Sequence, residues 1–540
     1  MSINCLDKYM AFYNKMRSGR LICSFILLIS LILTSNCAFA QDNTTVATPT
    51  IALRLLDLDG DNLNDAEFEN NNIKLIISSK NGSISFYYLK GTNFEENLYP
   101  PNLENLGYSF EESTKKVFVF DTSDNIFANT NFNIEVEKQD ESEVIISAKA
   151  NIPTTVDDNT PDSKSVALTR RYILSNKGYI LKIDNVITNL KEKLINIGNE
   201  NDGSFSLQYG PGIFMEPYGP TSLIGLKDEG ESDLYSSAES LTDKGKKNYC
   251  GIGLKDQYFC VLMESDQQLF ISAIASKTSN VNEGKRQMDT RFLKCTLPKF
   301  NLGAKESRNF VFKIYAGPLI LNELHKINRT KIADNGWLVR QMLEVLRFFY
   351  SLIPNYGIAI ILLTLLVRLI LYPLTLKQTK EMAKMQKIQP KVKALQDKYK
   401  DDPQRLNEEV MKLYTKNRVN PLGGCLPMLL QLPIIMALFN TFRNAVELRK
   451  ASFLWMSDLS KGDPYLILPI AIAALMYYQQ NKATTDAQQR QAMAFMPIMM
   501  LFITFSLPSG LLVYWFASSI LGILQQLQAN HYMANMKEEY

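Results

Sequence analysis

The chain has 540 residues, a formal net charge of +3 and two histidines, His325 and His531. This length allows several domains, and the basic residues are not massed on a polar segment rich in aromatic residues, which argues against nucleic-acid binding. Two histidines nearly exclude a histidine-based catalytic triad or a multi-histidine metal centre, so the composition argues against most hydrolases and metalloenzymes.

The first forty residues have the pattern of an export signal. Basic residues between Lys8 and Arg20 precede the apolar run Leu21–Leu33, and Ala38-Phe39-Ala40 offers a cleavage site of the A-x-A type. The stretch as far as Ala40 is also just long enough to span a bilayer. A cleaved signal peptide and an uncleaved first transmembrane segment therefore both stay open, and in either case the chain after residue 40 is exported.

Residues 41–70 are predicted to form an acidic linker. Within it, DLDGDNLND (57–65) places carboxylates around a glycine in a way that resembles a calcium loop. An EF-hand requires glycine at its sixth position and glutamate at its twelfth, whereas Gly60 is fourth here and Phe68 twelfth. A solvated acidic segment is the favoured interpretation, and a calcium site is the alternative.

Residues 71–327 are predicted to form an antiparallel β-sandwich, because short runs alternate with period two between turn residues. The clearest is a hairpin in which Ile73–Ser79 and Ile84–Leu89 flank the turn Asn81-Gly82. Further strands are predicted at Val117–Phe120, Val144–Ile152, Leu168–Leu174, Tyr179–Ile187, Tyr258–Met263, Leu269–Ala273 and Phe310–Tyr315. No cysteine spacing indicates a zinc site, and a disulfide between two of Cys250, Cys260 and Cys295 stays open.

Residues 336–353 are predicted to form an amphipathic helix. Arg340, Glu344, Arg347 and Ser351 recur at intervals of four, three and four residues and so share one stripe of an otherwise apolar helix. The stripe interrupts the apolar surface too often for a membrane span. We expect a helix that lies in the membrane interface or supports the bundle, with an ordinary buried helix as the alternative.

Residues 354–530 are predicted to form a membrane bundle of five spans, or six with the N-terminal segment. The five are expected at Gly357–Leu376, Pro421–Phe442, Tyr465–Gln480, Met493–Leu507 and Gly510–Gln528. The two shortest hold about 15 apolar residues, which cover about 22 Å against about 30 Å of hydrocarbon. This difference predicts a locally thinned bilayer.

Residues 377–418 carry twelve Lys and Arg residues and are therefore assigned to the cytoplasm. Apolar residues recur at alternating intervals of three and four on both sides of Asp402-Pro403, which can begin a second helix, so the segment is predicted to be a helical hairpin. Its methionines Met382, Met385 and Met411 suggest a surface that receives variable hydrophobic clients. A merely solvated helical face is the alternative.

Arg368 interrupts the apolar run TLLVRLILYPLTL (364–376). A guanidinium near the bilayer centre costs roughly 2.5–3.5 kcal/mol on insertion-derived scales. No acidic residue occurs in any predicted span, so Arg368 is expected to face a hydrated cavity that opens to the cytoplasm. A secondary transporter, the rival class, would show inverted repeats and an acidic coupling residue, and the sequence shows neither.

Seven ordered segments between residues 336 and 530 resemble the core of the YidC/Oxa-type membrane protein insertases. They read LLVRLILYPLT, MAKMQKIQPKVKALQDKY, NRVNPLGGCLPMLLQLPIIMALF, SFLWMSDLS, DPYLILPI, FMPIMM and LPSGLLVYW. More weakly, the exported domain with its FKIYAGP resembles the periplasmic β-supersandwich of the Gram-negative type. The resemblance implies a mixed fold: a polytopic α-helical membrane bundle with a cytoplasmic helical hairpin, plus an exported antiparallel β-supersandwich domain.

The resemblance further implies a bacterial inner-membrane insertase and chaperone that is not an enzyme and uses no cofactor or metal. Its clients would be nascent membrane proteins, which it inserts, folds and helps assemble alone or with the Sec translocon. An inner-leaflet groove would be lined or bordered by Arg368, Thr364, Gln431, Tyr514 and Trp515. The cytoplasmic tail 531–540 lacks a long basic extension, so ribosome binding is expected to be weak or indirect.

Overall fold

The computed structural model describes residues 51–58, 60, 62–90, 96–97, 116–122, 130–153, 164–198, 203–210, 222–235, 249–267, 270–279, 287–333, 336–400, 402–417, 426–483 and 495–535. The predicted export signal at 1–40 lies outside the described residues. A β-rich part precedes residue 320 and a helical part follows it.

The β-rich part contains twenty strands within the described residues. In chain order they are β1 (Ala52–Leu56), β2 (Asp65–Glu69), β3 (Ile73–Ile77), β4 (Ile84–Leu89), β5 (Glu96–Asn97), β6 (Lys116–Thr122), β7 (Asn133–Gln139), β8 (Glu143–Pro153), β9 (Lys164–Ser175), β10 (Ile180–Asn189), β11 (Ile195–Ile197), β12 (Phe205–Gly210), β13 (Ser222–Leu226), β14 (Ser232–Tyr235), β15 (Gly251–Lys255), β16 (Phe259–Ser265), β17 (Phe270–Ser279), β18 (Gln287–Thr296), β19 (Phe300–Leu302) and β20 (Ser307–Pro318). Each run predicted as a strand coincides with one of them, so the predicted antiparallel β domain is confirmed.

These strands form four antiparallel sheets. Their orders are β1-β2-β3-β4-β5, β14-β13-β15-β16-β20-β10-β9-β8-β7, β17-β18-β12-β6 and β11-β19. All four contribute side chains to one buried core, for example Ile73, Ile183, Leu207 and Ile195. The sheets therefore pack as layers around a shared apolar interior.

The hairpin between β3 and β4 has the predicted turn. Asn81 and Gly82 both have positive φ, 68° and 54°, which is the backbone that an Asn-Gly turn favours. A Cβ on Gly82 would also lie 2.6 Å from the Phe132 ring, so the close packing requires glycine there.

The prediction of a linker at 41–70 is wrong from residue 52 onward, because β1 and β2 belong to the first sheet. Ala66 and Phe68 are fully buried, and the carboxylate of Asp65 accepts a hydrogen bond from the Ser79 amide at 2.7 Å. The acidic residues thus accept backbone hydrogen bonds at strand ends and turns. Asp57 likewise accepts from the Gly60 amide at 2.7 Å, whereas residues 59 and 61 of the calcium alternative lie outside the described residues.

The three cysteines of the β domain, Cys250, Cys260 and Cys295, are free thiols. The disulfide that the sequence left open is therefore absent among these three described residues.

The helical part contains eight α-helices within the described residues. They are α1 (Leu321–His325), α2 (Trp337–Leu352), α3 (Tyr356–Lys398), α4 (Pro403–Lys416), α5 (Leu426–Asn444), α6 (Ile467–Ala483), α7 (Phe495–Thr504) and α8 (Ser509–Asn535). Two segments among them are long and apolar enough to cross a membrane, Tyr356–Thr375 of α3 and Ser509–Leu527 of α8. The other three predicted spans coincide with α5, α6 and α7, of which α7 is a short apolar helix.

The bundle packs around α3 and α8. Their contact buries Leu363, Leu512 and Tyr514, and α5 adds Leu438 and Phe442 to the same core. Helix α3 also continues through Pro373 and Pro390 to Lys398, so the first predicted span and the first helix of the predicted hairpin form one helix of 43 residues.

Candidate functional site

The site begins with the start of α3. The side chain of Asn355 accepts a hydrogen bond from the Ile358 amide at 3.1 Å and so caps the helix. Gly357 follows directly, and a Cβ there would clash with the ring of Phe453. A small residue at the helix start therefore lets the segment after α5 pack against the end of the bundle.

That segment, residues 445–463, covers the end of the bundle at which both α3 and α8 begin. The Leu459 carbonyl accepts from the Gly510 amide at 2.9 Å, and the Lys461 carbonyl accepts from the Ser509 amide at 2.6 Å. Trp455 donates through Nε1 to Asp463 Oδ1 at 2.9 Å, which fixes the fold of the segment itself. Helices α3 and α8 thus start at one covered end and run in the same direction.

Arg368 lies past the midpoint of the apolar segment Tyr356–Thr375 and is half-buried. Its guanidinium contacts Ser518 on α8: Nε donates to Ser518 Oγ at 3.0 Å, and Nη2 donates to Ser518 Oγ at 2.7 Å and to the Ser518 carbonyl at 2.8 Å. Gly522, one turn further along α8, lies beside the same group. Arg368 therefore joins the two long apolar helices.

Within the described residues no carboxylate forms an ion pair with Arg368, and the helices of the bundle, α3 as far as Thr375 and α5 to α8, contain no Asp or Glu. The hydrogen bonds that the guanidinium donates to Ser518 satisfy some of its N–H groups but leave its positive charge unneutralised. The next two residues, Leu369 and Ile370, are 51% and 66% exposed. The uncompensated charge thus lies beside an exposed apolar face of α3, which is an arrangement suited to attracting a negative group next to lipid.

The β domain docks on the covered end of the bundle. The guanidinium of Arg449 lies 5.8 Å from the ring centre of Tyr258 and 5.5 Å from that of Phe259, and Arg449 is only 6% exposed. Gln257 donates to the carbonyl of Arg443, and Val446 contributes to the core of the β domain. The bundle end opposite to the α3–α4 turn is therefore the one that carries the β domain.

Comparisons with known proteins identify relatives of this chain. The family model described as 60Kd inner membrane protein matches residues 348–537. The chain is 33% identical over 400 residues to the membrane protein insertase YidC of Geotalea daltonii, with 71% of each chain covered. It is also 33% identical over 387 residues to the membrane protein insertase YidC of Aeromonas hydrophila, with 68% of each covered.

The chain belongs to the YidC family of membrane protein insertases. This is a family of bacterial inner-membrane proteins, and insertases are not enzymes, so the predicted family and the prediction of a non-enzymatic protein are confirmed. A solved structure described as an active YidC insertase with its first transmembrane domain resolved aligns with a TM-score of 0.38 and 20% identity, covering 93% of this chain and 98% of that one.

In this member of the insertase family, the predicted groove residues occupy different surroundings. Thr364 is fully buried and donates through Oγ1 to the Ile360 carbonyl at 2.7 Å, one turn before Arg368 on the same helix. Tyr514 is 2% exposed in the α3–α8 core, and Trp515 is half-buried beside it. The structure does not describe the side chain of Gln431. The groove itself stays a prediction.

The segment that follows the insertase's first long span forms two helices, α3 to Lys398 and then α4. Asp402 caps α4 by accepting from the Arg405 amide at 3.1 Å, with Pro403 in the first turn, as predicted from the sequence. Arg405 and Lys398 lie over the Tyr399 ring at the turn, 5.7 and 5.2 Å from its centre. Met411 is 55% exposed on α4, whereas the side chains of Met382 and Met385 lie outside the description.

Sequence reasoning missed the residue that holds the arginine of this insertase. Ser518 was one of several polar residues in the last predicted span, and 150 positions separate it from Arg368. Ser518 and Gly522 are two small residues one turn apart. Their spacing is the signal that could have indicated space for the arginine side chain on the surface of α8.

Proposed function

We propose that this chain inserts nascent membrane proteins into the bacterial inner membrane and helps them fold and assemble. The observation that carries the proposal is Arg368, a cation between two long apolar helices with no ion-pair partner among the described residues. Such a residue is expensive in lipid unless it faces water or serves a function. For Arg368, that function would be to attract an acidic segment of the client.

The mechanism is electrostatic and involves no bond chemistry. A polar or acidic tail of the client is drawn toward Arg368 into a groove lined or bordered by Thr364, Gln431, Tyr514 and Trp515. This shortens the apolar distance that the tail still has to cross. The hydrophobic segment of the client then leaves along the exposed face of α3 into lipid, and its burial supplies the free energy.

The proposed topology places the β domain in the periplasm and α4 with the C-terminus in the cytoplasm. The twelve Lys and Arg residues between 377 and 418 support this orientation. The covered end of the bundle, which carries the β domain, would then face outward, and the cavity at Arg368 would open inward. The bundle would cross the membrane with five spans, or six if the N-terminal segment is retained.

The remaining partners follow from the same topology. The hairpin of α3 and α4, with Met382, Met385 and Met411, would meet clients first at the cytoplasmic surface. The Sec translocon would hand over larger clients, while short clients would insert without it. Contact with the ribosome would be weak or indirect.

The test uses the purified full chain in liposomes and a short client with an acidic exported tail. We compare wild type, Arg368→Lys and Arg368→Ala, with Lys461→Ala as a control that removes one positive charge, 67% exposed, from the covered end. Activity retained by lysine and lost by alanine supports attraction by charge. Equal insertion by Arg368→Ala and wild type would contradict it.

A second client whose tail acids are replaced by their amides separates charge from general wetness of the groove. The proposal expects Arg368→Ala to slow the acidic client and to leave the amide client unchanged. If both clients slow equally, Arg368 supports the bundle rather than the client.

A further inference from the structure

The guanidinium of Arg368 is held along one edge. Of its five N–H groups, Nε–H and both groups on Nη2 are directed to Ser518, two to its hydroxyl oxygen and one to its carbonyl. Ser518 is 3% exposed, so these acceptors are shielded from water. Within the described part of the chain, the two N–H groups of Nη1 have no acceptor.

This arrangement limits how Arg368 can bind a carboxylate. Arginine binds carboxylates tightly when two parallel N–H groups form a fork, either Nε with Nη2 or Nη1 with Nη2. Both forks need Nη2, and Ser518 occupies it. A client acid that reaches the residue therefore finds the full positive charge but only the single donor nitrogen Nη1.

Gly522 leaves the free side of the group uncovered. A Cβ at this position would lie 3.4 Å from Nη2 and 3.6 Å from Nη1, which is ordinary contact distance. A larger side chain at position 522 would already contact the guanidinium through its Cβ. The absence of a side chain keeps Nη1 accessible to an incoming group.

We propose that Ser518 is a positioning residue that prevents forked binding of client carboxylates, so that Arg368 attracts an acidic tail yet releases it quickly. The inference rests on the proposed function of Arg368 as the charge that draws the tail. A guide for many successive clients needs fast release, because tight binding to one client would slow the next. The hydroxyl of Ser518 supplies that limit by occupying the fork from within the bundle.

The experiment measures how long a client tail stays at the groove, with the full chain in nanodiscs and a fluorescent client peptide that carries either an acidic or an amide tail. Ser518→Ala should slow dissociation of the acidic peptide by roughly tenfold, the effect of one additional charge-assisted hydrogen bond. The amide peptide should dissociate at the wild-type rate. Ser519 is the next residue on α8. The control variant Ser519→Ala should release both peptides at the wild-type rate.

Two further variants keep the test independent of folding. Ser518→Thr retains the hydroxyl and should release the acidic peptide as fast as wild type does. In an Arg368→Lys background, Ser518→Ala should change nothing, because lysine has no fork to free. Unchanged or faster dissociation of the acidic peptide from Ser518→Ala would overturn the inference, as would an equal slowing of both peptides.

Failure of the proposed function gives a different pattern. If Arg368→Ala binds the acidic peptide as well as wild type does, the charge is not the guide and the premise itself is wrong. If Arg368→Ala loses the acidic peptide while Ser518→Ala behaves as wild type, only the role of Ser518 is wrong.

Discussion

Arg347 of α2 forms an ion pair with Glu447, which lies in the short turn after α5. Nε of Arg347 donates to Glu447 Oε1 at 2.9 Å, and Nη2 donates to the same oxygen. Next to this pair, the rings of Tyr350 and Tyr356 stack with their centres 4.0 Å apart. Helix α2 is thus fastened to the covered end of the bundle, while Trp337 and Phe348 on its other face stay 71% and 59% exposed.

The first prediction concerns this ion pair. Glu447→Gln should destabilise the chain by about 1 kcal/mol, because the pair is partly exposed and solvent screens it. A double-mutant cycle with Arg347→Gln, followed by thermal unfolding in detergent, should give a coupling energy of that size.

Glu344→Gln provides the matched control, since Glu344 is an exposed carboxylate on the same helix. It should leave the unfolding temperature unchanged. A coupling energy near zero between residues 347 and 447 would show that α2 is held by its apolar contacts alone.

The second prediction concerns the docking of the β domain. Arg449→Gln removes a buried cation from the faces of Tyr258 and Phe259, and should weaken the contact by about 1–2 kcal/mol. Hydrogen exchange should then accelerate at the amides of Tyr258 and Phe259, which donate to Asp256 in the turn between β15 and β16. Lys450→Gln, at the exposed neighbouring position, should leave these amides as they are. Equal exchange in both variants would mean that other contacts hold the domain.

The third prediction concerns Arg170, which is fully buried in the β domain. It donates to Asn185 Oδ1 at 3.1 Å, to the Phe120 carbonyl at 2.9 Å and to the Gly82 carbonyl, and so links three sheets. Arg170→Met removes the donor to these acceptors and should cost about 3 kcal/mol or more. The measurement is the unfolding transition of the full chain.

Arg171→Met is its control, because Arg171 is 35% exposed and pairs with Glu137 on the surface. We expect a loss of less than about 1 kcal/mol for this variant. If both arginine variants unfold at the same temperature, the buried guanidinium is not a structural link between the sheets.

Local features of the fold could be predicted from the sequence, because the residues that decide them are neighbours in the chain. The Asn81-Gly82 turn and the Asp402 cap each depend on a few adjacent side chains. The alternation of buried residues in β10 is likewise visible in its ten residues. Arg368 was identified for the same reason, because a single charged residue in an apolar run is visible in the local sequence alone.

What the sequence did not predict depends on distant residues. Strands β10 and β20 pair across more than a hundred positions, and no short pattern encodes that register. Strands β1 and β2 were hidden because their acidic residues resemble a linker until Phe68 is seen to be buried. Ser518 was missed for the same reason: only the packing of α8 on α3 brings it to Arg368.

The fourth prediction concerns the thiols of the β domain. Burial raises the pKa of Cys260 and Cys295 far above the ordinary value, and both are fully buried. Burial also raises the pKa of Cys250, which is half-buried and accepts a hydrogen bond from Arg329 at 3.3 Å. Because the thiolate is the reactive form, a raised pKa lowers reactivity at neutral pH.

In native protein treated with N-ethylmaleimide, Cys250 should therefore react slowly and the two buried thiols not at all, until the chain is unfolded. The rate at Cys250 should rise about tenfold per pH unit from pH 7 to pH 9, since its pKa lies above this range and the thiolate fraction grows accordingly. Peptide mass spectrometry resolves the three sites individually. A rate at Cys250 that levels off below pH 8 would indicate that Arg329 lowers the pKa more than burial raises it, and labelling of Cys260 as fast as Cys250 would mean that the core of the β domain opens under native conditions.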